Sequence, residues 1–454
     1  MRTHKGSFLP ITVVLSLLLG LPALAQARKP ETRSVDGLIY DLKNPDASKR
    51  KDAARLLGEN KVQAAVPQLV EAAEDTDADV RLAVANALLA IGDTRALPAY
   101  VKLARDPDKR IQKVAVQGIV DTYTTEDTGF VSGVKKVVSF LNPLSTDYDS
   151  RVVEPYVPVS GDAVNALIDL LFSSDKGLRE DAAVALGILR ARAALPAIED
   201  ALNREDSSDV KIELIRAVYK IGDRKSAEMV VPFIRDSNKG VHDEAILTAG
   251  RLKVKSAVPT LNELYRVGVE ERKKIFGFVP VSGSDDLQRK VLEALAYIGD
   301  PSSQDIFEDA LNDSRDEYRR YGAEGLGRMG DKKYVKLLAM RYLREEDPSV
   351  KLALGYALFL LGRDEHIVEM VDNVEKDQVY YYLLELPPDK IQTLYSQLQT
   401  ARDPVTIRLL DVIGLRGGAD ALPIVQDLSS SENADIASAA NLAIRRLRAR
   451  FPSA

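Results

Sequence analysis

Residues Asp75–Pro98 read DTDADVRLAVANALLAIGDTRALP, and this stretch decides the fold. Val80, Val84, Ala87, Leu88 and Ile91 recur at helical spacing and form one apolar face. Asp79 stands where an N-cap is expected. Gly92-Asp93 ends the helix, because glycine accepts the left-handed conformation a C-terminal stop requires. Leu97-Pro98 opens the next helix, with proline in the first turn, where a missing N–H costs little.

The same pattern recurs along the chain. Taking Arg81 as anchor, the equivalent positions are Arg50, Arg110, Arg179, Lys211, His242, Gln288, Arg319, Lys351, Tyr380, Thr406 and Ala437, and most successive gaps are 29 to 32 residues. Eight residues after the anchor a glycine often stands: Gly58, Gly118, Gly187, Gly250, Gly327 and Gly414. Eleven after it comes a second series, Gly92, Gly222, Gly299, Gly330, Gly362 and Gly417. Seventeen after it comes proline, at Pro67, Pro98, Pro196, Pro259 and Pro423. Three series in one register, with two helical segments per period, predict stacked helical hairpins.

These residues carry a resemblance. Pro67, Asp75 and Arg81 match the proline, aspartate and arginine pattern of HEAT repeats, and Val80–Asp93 resembles the short bacterial variety named after phycobilisome lyases. The resemblance implies an all-α, right-handed solenoid of about twelve HEAT-like hairpins. It also implies a ladder of acid–arginine pairs between neighbouring units, at Asp75/Arg81 and Asp313/Arg319, with Glu205/Lys211 and Asp236/His242 as variants. The anchor arginines then read as structural, since half-buried guanidinium groups need paired carboxylates. Members of such families serve mostly as scaffolds, and the fold alone does not fix a function.

The expected organisation is a signal peptide at 1–25, a loose leader at 26–34, and repeats at 35–123, 162–267 and 285–450. Two excursions interrupt them, at 124–161 and 268–284. Val131–Leu141 is expected as an extra short helix, and Asn142–Gly161 as turn-rich and then extended. The excursions share a phrase, Tyr156–Gly161 (YVPVSG) and Phe278–Gly283 (FVPVSG), read either as loops that cover helices and end in an N-cap or as a binding lip. A shortened unit follows Lys351, where Pro387-Pro388 cuts the helix DQVYYYLLEL. Arg445, Arg446, Arg448 and Arg450 end the array, as cations suit a helix C-terminus, with an anionic partner or membrane as the alternative.

The chain of 454 residues carries a formal charge of −6, which argues against general nucleic-acid binding. It has no cysteine, so disulfides, thiolate metal sites and cysteine nucleophiles are excluded. Its three histidines, His4, His242 and His366, show no metal-ligand spacing, and no HExxH or GxSxG occurs. The glycines of AIGD stand at helix ends rather than in a phosphate-cradling loop. The sequence thus predicts no catalytic residue, no cofactor and no metal. The expected function is an exported scaffold or adaptor, with a lyase-like or other enzyme of the same repeat class and a purely structural spacer of the cell envelope as alternatives.

The expected partner surface is the concave face, which the resemblance implies is lined by the second helix of each hairpin, in the C-terminal half. Glu293, Tyr321, Glu324, Tyr356, Tyr382, Glu385 and Asp411 recur at equivalent places, with Arg408 among them, and nine of the seventeen tyrosines lie between Tyr318 and Tyr395. Phenols and acids in a stripe suit a protein or peptide partner, one with basic residues. The alternative is that several of these tyrosines pack between repeats with their hydroxyls at the rim.

The N-terminus predicts export to the periplasm or medium. Arg2, His4 and Lys5 precede the apolar run Phe8–Leu21, and Ala23-Leu24-Ala25 fits a small-x-small cleavage site. The run is shorter than the ~20 residues a membrane span needs. Intact-mass measurement of protein from the envelope fraction should give a chain beginning at or near Gln26; a full-length mass in the membrane fraction would overturn the reading.

Overall fold

The structure, a computed structural model, describes residues 34–124, 152–154, 156–275 and 282–453, with side chains in 270–284 outside that description. Among these residues the regular structure is entirely helical. Twelve helices each carry one anchor position, from Arg50 in Ala47–Glu59 to Ala437 in Ala434–Arg450. Each follows an outer helix or 3₁₀ segment, shorter in every unit except that of Val258–Ile275, and the anchor-bearing helices pack on one another along the array. The core is a continuous apolar seam from Leu38 to Leu447.

The deciding stretch folds as read, with one shift. Helix Ala78–Ile91 buries Val80, Val84, Ala87, Leu88 and Ile91, but its N-cap is Asp77, whose side chain accepts from the N–H groups of Asp79 and Val80. Asp79 lies inside the first turn, where its charge suits the helix dipole. Pro98 sits in the first turn of Leu97–Leu103, and Pro67 and Pro196 do the same in their helices.

Two devices set the distance between units. The first is the ladder. Arg81 donates from Nε to Asp106 at 2.6 Å, in the next unit, and from Nη1 to the backbone carbonyl of Asp75 at 2.8 Å. Arg50 reaches Asp75 in the same way, at 2.6 Å and 2.8 Å. Arg179–Glu205, Lys211–Asp236 and Arg319–Glu345 repeat the rung at 2.7, 3.4 and 3.0 Å. Burial opposes ionisation of Asp75, yet Arg50 and the N–H of Asp77 hold its carboxyl below the ordinary range. The ladder breaks at Arg110, which is exposed and folds back on Asp108 at 2.6 Å. It breaks again at His242, whose Nε2 is buried without a hydrogen-bond partner among the described residues.

The second device is a close crossing of helices. A Cβ placed on Gly58, Gly187, Gly250, Gly327 or Gly414 falls 2.5 to 3.0 Å from the Cα of an alanine in the following unit: Ala87, Ala217, Ala294, Ala357 or Ala443. The first glycine series is therefore there to let backbones touch. Gly118 differs, since the Tyr100 ring fills its space.

The second series caps helices. Gly92, Gly222, Gly299, Gly330 and Gly362 all have positive φ, whereas Gly417 has φ −59° and does not belong with them. The second excursion begins later than expected, because helix Val258–Ile275 continues past 268. The expected helix Val131–Leu141 lies outside the described residues, as do 276–281 of the second VPVSG phrase. Helix Asp377–Leu384 stops before Pro387-Pro388, and only short turns fill Pro388–Gln399.

The two glycine series should respond differently. Gly330 has φ +74° and open space around it, so Gly330→Val should cost about 1–2 kcal/mol through backbone strain alone. Gly327→Val adds a clash with Ala357 and should cost more, about 3 kcal/mol. Urea midpoints of the two variants check both, and equal midpoints would refute the distinction.

Candidate functional site

The inner ends of the anchor-bearing helices converge in the C-terminal half, and the expected stripe meets there. Its centre is Arg328, at the end of helix Asp316–Met329, with a side chain only 4% exposed. Its Nη1 donates to Glu324 at 3.0 Å and to the carbonyl of Ala296 at 3.1 Å. Its Nε and Nη2 donate to Glu385 at 3.0 and 3.2 Å. The guanidinium lies over the rings of Tyr297 and Tyr356, at 4.9 and 5.3 Å.

Tyr356 stacks on Tyr382 with centroids 4.1 Å apart and planes 3° apart. The Tyr382 hydroxyl donates to Glu324. Lys253 reaches Glu385 at 3.0 Å, although 132 residues separate them in sequence. That last contact brings an early unit against a late one.

The stripe is therefore assembled and not open. Tyr321, Glu324, Tyr356 and Tyr382 are buried, Glu293 and Glu385 nearly so. Tyr321 packs beneath the Arg320 guanidinium at 4.5 Å, and Glu293 faces Arg289 at 3.7 Å. Asp411 stands apart from the Arg328 cluster, taking Arg446 at 2.5 Å and the Tyr380 hydroxyl. Arg408 covers the Tyr380 ring at 4.8 Å. The expectation of seven side chains facing solvent fails because close helix crossing brings the helix ends within side-chain reach of one another. Arginines then fill the gap, where cations suit helix C-termini. Sequence reading missed Arg328 and Lys253 and took Arg446 only as one of the cations that end the array; the signal was a basic residue recurring near the C-terminal end of an anchor-bearing helix.

The electrostatics are those of a fixed network. Burial opposes the Glu385 carboxylate, but Arg328 and Lys253 outweigh it and hold its pKa below the ordinary glutamate value. Burial, then Glu324, pushes the Tyr382 phenol well above its usual value, so it stays a hydrogen-bond donor. Burial lowers Lys253, with the nearby Arg328 adding to the effect and Glu385 opposing it. The groups hold one another through hydrogen bonds and opposite charge. Among the described residues no group of three or more histidine, aspartate or glutamate side chains is arranged to hold a metal ion. No described helix is long and apolar enough to cross a membrane.

Residues 35–119 and 281–358 match the family model of HEAT repeats. Over those residues the chain carries HEAT repeats, and the described fold is an α-solenoid of helical hairpins. A comparison with curated proteins finds no match. Among solved structures it is similar to an engineered protein from a structural genomics consortium, with 17% identity and a TM-score of 0.43, covering 91% of this chain and 98% of that one. It is also similar to the complex of CpcE and CpcF of phycocyanin lyase from Nostoc sp., with 17% identity and a TM-score of 0.26, covering 76% of this chain and 100% of that one. YibA of Escherichia coli shows 16% identity and a TM-score of 0.34, covering 72% of this chain and 92% of that one.

Removing one member of the network exposes its worth. Glu385→Gln should destabilise by about 3 kcal/mol at pH 7, because Arg328 and Lys253 lose their counter-charge. The pKa of Glu385 is depressed on folding, so its contribution is full above the unfolded value of about 4.3 and fades as pH falls through the folded one. Urea unfolding of parent and variant at pH 7 and pH 3 should show the gap narrowing in acid; a constant gap would count against the network.

Proposed function

We propose that this HEAT-repeat chain is an exported, non-catalytic scaffold that holds a protein partner. The basic, apolar and small-residue pattern of residues 1–25 supports export. The acids and tyrosines of the inner stripe are spent on internal pairing, which favours a partner surface on the outside of the array.

One observation carries this reading. The outer helix Val335–Arg344 leaves Leu337, Met340 and Leu343 exposed at 39%, 46% and 81%, and Val368 on the following outer helix is 52% exposed. Residues 332–344 read KKYVKLLAMRYLR, with five cations and no acid in an otherwise acidic chain. Lys336, Met340, Leu343 and Arg344 share the outward arc with Leu337, so apolar and cationic side chains alternate on one face. A helix wastes no burial energy on such a face without cause, since apolar patches outside the core mark contact sites.

The partner this face fits is an amphipathic helix whose apolar stripe is flanked by aspartate and glutamate. A flat anionic bilayer fits less well, because the adjacent outer helices present the exposed acids Asp305, Asp309 and Asp372.

Affinity capture from the native envelope tests the reading. The double variant Met340→Asp/Leu343→Asp changes only exposed positions and should retain fold while losing roughly tenfold or more of the captured partner. Tyr40→Asp, exposed on the first helix, should capture like the parent. Equal capture by all three proteins would remove the outer ridge as the partner surface.

A further inference from the structure

The end of the first excursion touches the last helix of the chain. Glu154 accepts from Arg446 Nε at 2.8 Å and Nη2 at 2.6 Å, a bidentate pair across 292 residues. Arg446 belongs to helix Ala434–Arg450 and its side chain is 8% exposed. Its remaining nitrogen, Nη1, holds Asp411 at 2.5 Å. Two residues beyond Glu154, the Tyr156 ring lies under the Arg445 guanidinium at 5.6 Å. The Val153 side chain is 4% exposed, and its N–H donates at 2.8 Å to the carbonyl of Ile188 at the end of helix Lys176–Ile188. Val157 and Val159 pack against the core from the same stretch.

This is the way a protein holds an extended peptide. A backbone N–H is received by an orphan helix-end carbonyl, a carboxylate by a fork-shaped guanidinium, a ring by a cation, and an apolar side chain by the core. The seat belongs to the folded array. The occupant is short, lacks regular secondary structure and comes from outside the repeat pattern.

We propose that the Arg445–Arg446 face of the last helix, with the Ile188 helix end, is a peptide seat occupied in cis by Val153, Glu154 and Tyr156. It fits an extended partner segment that carries a carboxylate and, two residues on, an aromatic ring. The tethered occupant is present at high effective concentration, so it keeps the seat filled until such a segment displaces it. This seat is separate from the outer ridge and does not depend on that reading.

The test uses the full mature chain and a labelled synthetic peptide with the sequence VVEPYVPVSG, residues 152–161. The double variant Glu154→Ala/Tyr156→Ala withdraws the carboxylate and the ring from the seat and leaves Arg445 and Arg446 unchanged. Fluorescence anisotropy should show the peptide binding this variant at least tenfold more tightly than it binds the parent. Adding Arg446→Glu to the double variant should abolish the gain. Because Arg446 is buried, Arg445→Ala at its exposed neighbour is the second variant, and it should weaken peptide binding severalfold in a chain of unchanged circular dichroism. Equal peptide binding by parent and double variant overturns the proposal, as does binding that neither arginine substitution changes.

Discussion

The structure depends on a guanidinium that is asked to serve two units at once. Arg81 ties the turn before its own helix, through the carbonyl of Asp75, to the carboxylate of Asp106 in the unit that follows. A rung of this kind fixes both the entry angle of one helix and its distance from the next. Its ions are half-buried, so each guanidinium needs both its carbonyl and its carboxylate to offset desolvation. Where the anchor is an arginine with its carboxylate one unit on, spacing is uniform. Where it is Arg110 or His242, an excursion follows. A missing rung precedes both excursions, although Gln288 and Thr406 also bond backbone carbonyls instead of a carboxylate one unit on and keep a 31-residue spacing.

The glycine–alanine crossing supplies the other half of the constraint. Units held by rungs on one side and by backbone contact on the other turn steadily, and the turning brings Lys253 to Glu385. Helix ends that meet across such a turn present carbonyls to one another. Arg328 and Lys253 answer that field, and glutamates and tyrosines in turn answer the cations. The inner network is a consequence of curvature rather than a feature laid on top of it.

How much of this the sequence discloses depends on the range of the interaction. Helix positions and all but one of the capping glycines follow from spacings within one period, but the rung pairing does not: Arg81 takes the carboxylate of Asp106 rather than that of Asp75, Asp75 takes Arg50, Glu205 takes Arg179 and Arg319 takes Glu345. The N-cap moved from Asp79 to Asp77 because both aspartates fit a local pattern and only backbone geometry separates them. Gly58 and Gly330 look alike in sequence, yet one meets a neighbouring helix and the other supplies a left-handed turn. Glu324, Tyr356, Tyr382 and Glu385 of the expected partner stripe come together, but in a buried network, and Asp411 stands apart from them. The burial of the stripe was not legible, because a period near 31 residues says nothing about what lies across a superhelical turn.

The clasp between Glu154 and Arg446 gives the array an order of completion. Rungs and glycine crossings join residues some 25 to 30 positions apart, or 44 at Gly250–Ala294 across the second excursion, so each unit can settle on its predecessor as the chain lengthens. The clasp cannot: Glu154 must wait for a residue 292 positions later. A solenoid ordinarily has no finished state that differs in kind from a shorter one, and losing a terminal unit only shortens it. Here helix Ala434–Arg450 closes a loop of contacts, so the array registers whether that helix has been made.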